Sequence, residues 1–169
     1  MRIISWNAQG KFREKFPEIR KLAGDIYIIQ ECENPLHSRN KEYREFFTDG
    51  LWWGDNKNKG LGIFVAPHIS IEDNEWEPFC LRQFACLRVN ERFDLLADVG
   101  LCSAYHHQQK EEQGKESTPT FFMHRHADKP YHIDYAFVAP ERIRNCYIDT
   151  SANWLTFSDH RPLVLEIED

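Results

Sequence analysis

The sequence predicts a mixed α/β domain, and three observations carry that expectation. The first residues read as a strand, a helix and a second strand; strand-like runs separated by polar turns dominate the middle of the chain; and the chain closes on an apolar, β-branched run behind an Asp-His turn. At 169 residues, 41% of them hydrophobic and 14% aromatic, the chain holds enough material for one domain, 1–169, with a substantial core.

Met1 to Asn7 alternates weakly and reads as an opening strand that ends at Trp6-Asn7, after which Gly10 releases the chain. Phe12, Phe16, Ile19, Leu22 and Ala23 recur at helical spacing, with Pro17 expected in the first turn of a short helix and Gly24 placed to stop it. The run Asp25 to Glu31 is short and rich in isoleucine, which predicts a strand buried on both faces with Gln30 and Glu31 at its carboxyl end. A parallel, right-handed strand–helix–strand unit brings the two strand ends, Asn7 and Glu31, to one edge.

Lys41 to Phe47 is read as a short charged helix. Trp52-Trp53-Gly54 and Gly60 to Val65 flank the polar turn Asp55 to Lys59 and predict a hairpin. Further strands are expected at Ile69–Ile71, Ala85–Val89 and Phe93–Ala97. His106 to Lys129 is polar and reads as a solvated, mobile loop. Tyr131 to Val138 alternates as a half-buried strand, Cys146 to Asp149 offers another, and Leu163 to Ile167 closes the chain. Pro162 suits a strand's first position because it cannot donate to a ladder, so Asp159 and His160 are expected just outside the sheet.

Composition narrows the function classes. A formal net charge of -6 argues against a protein that coats nucleic acid by bulk charge, but an enzyme needs only a local positive site, often a bound metal. The five cysteines are odd in number and scattered, so reduced thiols are expected rather than a disulfide framework or a cysteine zinc cage. No apolar run is long enough to span a bilayer, and the first residues are too polar for a signal peptide, so a cytoplasmic protein without membrane partners is expected. Gly-rich phosphate loops, nucleophile elbows and dinucleotide fingerprints do not occur. His124-x-His126 with His106 and His107 lacks the cysteine pair or helical His-Glu pattern that would support zinc. His124, Arg125, His126 and Lys129 read equally as a small phosphate contact or as a solvated loop, and Trp52, Trp53, Phe121 and Phe122 read as core rather than as base-stacking platforms.

Four short motifs stand in order at predicted strand ends: Ser5-Trp6-Asn7, Gln30-Glu31, His132-Ile133-Asp134-Tyr135 and Ser158-Asp159-His160. Each is weak alone, since an Asp-His pair in a turn is ordinarily just solvated. Together they resemble the endonuclease/exonuclease/phosphatase superfamily, the group that includes the DNase I-like nucleases, over almost the whole chain. That resemblance implies two packed, mostly antiparallel sheets flanked by helices, with a divalent-metal phosphodiester hydrolase site at one end of the strands.

Carried over residue by residue, the resemblance implies that Asn7 lies beside the metal and the scissile phosphate, that Glu31 is the principal magnesium or manganese carboxylate, and that Asp159 is an adjoining acid near the metal. It implies further that Asp134 orients His160, the catalytic histidine. Gln9 stands where many relatives carry an acid, so the ion would be held with less charge. The family's Gly-Asp-x-Asn motif is absent. The passage from Phe93 to His106 reads like two family segments joined after an excision, either with Phe93 to Ala97 as the strand before the gap or with Asp98 as a remnant of the lost motif. The expected activity is a magnesium-dependent phosphodiesterase, in particular a nuclease. The alternative is a reduced relative that binds phosphate or nucleic acid without efficient turnover. DNA, RNA, a nucleotide and a phospholipid headgroup all remain open as substrates.

Overall fold

The structure is a computed structural model and describes residues 1–71 and 100–168. The strands expected at Ala85–Val89 and Phe93–Ala97, together with Asp98, lie outside the described residues. Two compact units emerge, one of residues 4–71 and one of 1–3 with 100–168 among those described.

The first unit holds residues 4–7 of β1 (Arg2–Asn7); α1 (Phe12–Arg20), β2 (Ile26–Cys32), α2 (Lys41–Phe46), β3 (Leu51–Asn56) and β4 (Lys59–Val65) follow in sequence, and the strands lie side by side in the order β3-β4-β2-β1. The core forms where α1 and α2 lay aromatic rings against the sheet. Phe12, fully buried, meets Trp6, Tyr43, Phe46 and Phe64 with ring centroids 5.4–6.4 Å apart. Such edge and tilted contacts add to the burial of large apolar surfaces. The hairpin is tighter than the sequence implied, for β3 and β4 run on until only Lys57 and Asn58 separate them.

Several local expectations for this unit are corrected. Pro17 lies inside α1 rather than in its first turn. The chain leaves α1 through Ala23 at φ 51°, not through Gly24. Gly24 is required for space, because a Cβ there would come within 2.7 Å of the Ile4 side chain. β2 buries one face only, with Tyr27, Ile29 and Cys32 inside and Ile26 and Ile28 half-buried. Ile69–Ile71 forms no strand.

The second unit is built on β9 (Ile143–Ile148) paired antiparallel with β10 (Leu163–Ile167), and Met1 exchanges backbone hydrogen bonds with Ile167. β5 (Cys102–Ser103) leads into α3 (Ala104–Gln109) and pairs with β8 (Phe137–Val138), while β6 (Phe121–Phe122) pairs with β7 (Pro130–Tyr131). Ala104, Tyr105, Cys146, Ile148, Leu163, Leu165 and Ile167 make its apolar core.

The polar stretch after His106 is far more ordered than a solvated loop. It contains most of α3 and β6, and Glu111 ties it together by accepting from Ser117 Oγ (2.6 Å), Ser117 N (2.9 Å) and Tyr105 Oη (3.0 Å). The strand expected over Tyr131 to Val138 survives only at its two ends: His132 to Tyr135 lie outside any strand, and Ala136 rejoins the pairing through its carbonyl, which accepts from Ala104 N at 2.8 Å. Among the described residues Cys32, Cys102 and Cys146 are free thiols, and burial pushes Cys32 and Cys146 up to about 12. No helix among the described residues is long and apolar enough to cross a membrane.

Candidate active site

Asp134 and His160 are joined directly. His160 Nδ1 lies 2.7 Å from Asp134 Oδ2. A carboxylate only accepts, so the proton of this bond sits on Nδ1, and Nε2 is the ring's acceptor when the imidazole is neutral. His160 is 8% exposed, which shields the bond from competing water. Asp159 Oδ1 stands 4.0 Å from Nε2, too far for a hydrogen bond.

Local structure explains how a histidine between β9 and β10 is held so firmly. Ser158, fully buried, accepts the His160 amide on its Oγ at 3.1 Å and closes a tight turn. Just before the turn, the Arg125 guanidinium donates to the carbonyls of Thr156 and Phe157, each at 3.1 Å. On the far side Phe121 forms an isolated bridge with His160 and lays its ring 4.8 Å from the imidazole. Phe121 is therefore half-buried against the candidate catalytic ring rather than a plain core residue, and Trp52 and Trp53 are likewise only half-buried; Phe122 alone of the four is fully inside.

The other predicted residues stand in the first unit. Asn7 ends β1 and Glu31 lies near the end of β2, and these ends meet: Ala8 N donates to Gln30 O and Gly10 N to Glu31 O, both at 3.0 Å. Asn7 Oδ1 accepts from Gln9 N at 2.9 Å, which makes its amide nitrogen the end with donor capacity toward an anion. Gln30 pairs with Leu61 and Cys32 with Gly60, so Glu31 is the extra residue of a β-bulge. Its φ of 57° is a left-handed conformation uncommon outside glycine and asparagine. The bulge breaks the inside–outside alternation of β2 and turns a carboxylate outward that a regular strand would have aimed differently. Lys59 Nζ lies 3.1 Å from that carboxylate.

Among the described residues no three His, Cys, Asp or Glu side chains cluster as a ready-made cation site. Magnesium does not need one, since it keeps several waters and is commonly held by one or two carboxylates plus substrate phosphate. The all-oxygen character of Glu31 and Asn7 fits such a hard ion, whereas zinc draws on histidine and cysteine.

Sequence reasoning missed Ser158's buried capping role, Phe121 and, above all, Thr120, which is completely buried and whose Oγ1 accepts from Ile133 N at 3.0 Å and Asp134 N at 3.1 Å. The one available signal was a hydroxyl residue directly before two phenylalanines, which is too common to single out.

The fold has relatives among solved structures. A 3′ phosphatase, NExo, from Neisseria, bound to product DNA hairpin, matches with a TM-score of 0.68 at 15% identity over 100% of both chains. An AP endonuclease from Archaeoglobus fulgidus matches with a TM-score of 0.65 at 13% identity, again over 100% of both. The human Nocturnin catalytic domain with bound sulfate anion matches at 0.59 and 15% identity, over 99% of this chain and 93% of that one. No sequence-family profile and no curated protein matches the chain. The chain carries a DNase I-like fold, which it shares with these proteins.

Proposed function

We propose that the chain is a magnesium- or manganese-dependent phosphodiester hydrolase and that nucleic acid is its substrate class. The observation that carries this reading is the 2.7 Å bond between His160 Nδ1 and Asp134, the pairing expected of an oriented general base, in a chain with the fold of nucleases and phosphatases. The NExo structure holds a DNA hairpin and the Archaeoglobus protein is an AP endonuclease, which supports nucleic acid over a nucleotide or a lipid headgroup.

In this reading Glu31 would be the main carboxylate for the ion, and Asp159 is proposed as a further metal-binding acid. When bound, the ion supplies positive charge for phosphate oxygens and acidifies a water. Asp134 fixes the tautomer of His160, so Nε2 can take the proton of the attacking water as the new P–O bond forms. The ester P–O bond breaks with its electron pair leaving on the departing oxygen, which takes up a proton from solvent, and His160 returns the proton it took to solvent. Asn7 donates its amide to a phosphate oxygen.

The absence of Gly-Asp-x-Asn favours a second reading, a relative that binds without efficient turnover. Hydrolysis of bis(p-nitrophenyl) phosphate and of labelled single- and double-stranded DNA and RNA, with magnesium and with chelator, separates the two. Magnesium-stimulated cleavage that His160→Ala abolishes supports hydrolysis. Retained oligonucleotide binding with no cleavage of any substrate selects the second reading.

A further inference from the structure

We propose that Thr120 is a positioning residue for the Asp134–His160 pair, a role that rests on the hydrolase reading for its catalytic meaning but not for its geometry. The two members of the pair are 26 residues apart and neither sits in a long strand, so their bond needs something that references one to the other. Thr120 touches both segments. Its side-chain oxygen accepts from the amides of Ile133 (3.0 Å) and Asp134 (3.1 Å), and its carbonyl accepts from the amide of Arg161 (2.7 Å), the residue after His160. Its own amide donates to Tyr131 O at 3.0 Å, which pins it to the chain that runs on to Asp134.

The chemistry of the residue type matters. Residues 132–135 lie outside any strand, so the Ile133 and Asp134 amides take a hydroxyl where a strand partner would otherwise stand. One hydroxyl oxygen has two lone pairs, and both are used here. Thr120 is fully buried, so no water from bulk replaces that oxygen when it is removed. Valine has nearly the shape of threonine without the acceptor, and would leave two amides unsatisfied at the point where the carboxylate of Asp134 must be held to a fraction of an ångström.

The test compares wild type with Thr120→Val and Thr120→Ser, using two readouts. The first is the His160 imidazole by proton–nitrogen NMR, where the Nδ1–H resonance of wild type is expected downfield, retained in Thr120→Ser and lost or moved in Thr120→Val. The second is steady-state hydrolysis, where kcat is expected to fall up to about 100-fold in Thr120→Val with KM unchanged and to recover in Thr120→Ser. Amide exchange on wild type adds a measurement that needs no variant: Ile133 and Asp134 are expected to be protected although they lie outside any ladder. A folded Thr120→Val with unaltered His160 resonances overturns the proposal. So does fast exchange of both amides in wild type, which decides the matter should Thr120→Val not fold. A chain without hydrolytic activity whose His160 resonance still depends on the Thr120 hydroxyl removes the hydrolase reading and leaves the positioning role standing.

Discussion

The ammonium of Lys59 stands 3.1 Å from the carboxylate of Glu31, so the residue proposed to hold a metal is already paired with a cation of the chain itself. The two side chains are 61% and 31% exposed, and pairs of that kind contribute at most about 1 kcal/mol. A metal must displace that ammonium. Lys59→Gln is therefore expected to tighten magnesium or manganese binding, by up to about 5-fold, and Glu31→Gln to weaken it strongly. Calorimetry on the two variants decides it, and equal affinity of Glu31→Gln and wild type would remove Glu31 as the main ligand.

The histidine pair makes a kinetic prediction. A positioned general base is worth about 10²–10⁴-fold, so His160→Ala should cost that much in kcat. Asp134→Asn leaves a hydrogen-bond partner but lets the ring take the other tautomer, and a loss nearly as large is expected. Rates within a factor of about two of wild type for both variants would sink the assignment. Turnover of the wild type itself is expected to be slow beside enzymes that carry the Gly-Asp-x-Asn motif.

Acid should destabilise the fold in two stages. Burial is the main influence on His132 and holds its pKa below the ordinary histidine value, against the opposing pull of the Thr118 carbonyl and Glu116. The folded state thus resists a proton that the unfolded chain accepts, so this contribution is intact above the unfolded value of about 6.5 and is lost as pH falls below it. Glu116 adds a second stage at lower pH. Burial, its largest influence, works to raise it, but backbone amides and His106 together hold it below the usual carboxylate range. Its contribution is present above the unfolded value of about 4.3 and disappears as pH falls through the folded one. Urea melts of wild type and His132→Gln between about pH 7.5 and 5.5 isolate the first stage. Parallel pH slopes for the two proteins contradict the prediction.

Packing sets the scale for stability. Phe12 is fully buried among four aromatic rings, and Phe12→Ala should cost about 3–5 kcal/mol. Leu36, 74% exposed, is the contrasting control: Leu36→Ser should change stability by less than about 0.5 kcal/mol. Equilibrium denaturation of both variants provides the check.

How much of the molecule is legible in its sequence depends on the range of the interactions involved. β1, α1, β2, the β3–β4 hairpin and β10 were legible because each declares itself by periodicity or turn residues within a window of about ten positions. The Asp134–His160 contact was reached through motif order rather than through pattern. The failures are tertiary. Tyr131 to Val138 alternates like a strand, yet its middle gives its amides to Thr120, a partner no local pattern names. The polar stretch after His106 looked mobile because its order comes from charged groups, Glu111 with Ser117 and Tyr105, and Glu116 with His106 at 3.0 Å, rather than from an apolar face. The bulge at Glu31 was hidden as well, since nothing in Ile-Ile-Gln-Glu-Cys marks which residue steps out of register.

That bulge sets folding and chemistry against one another at a single position. Holding an L-residue with a side chain in the left-handed region costs about 1–2 kcal/mol, and glycine escapes most of the penalty. The substitution that relaxes the backbone at position 31 is thus the same one that deletes the carboxylate. A lineage released from its substrate, or a screen that rewards thermal tolerance alone, would find at this site a short downhill path to a sturdier molecule with an empty hand.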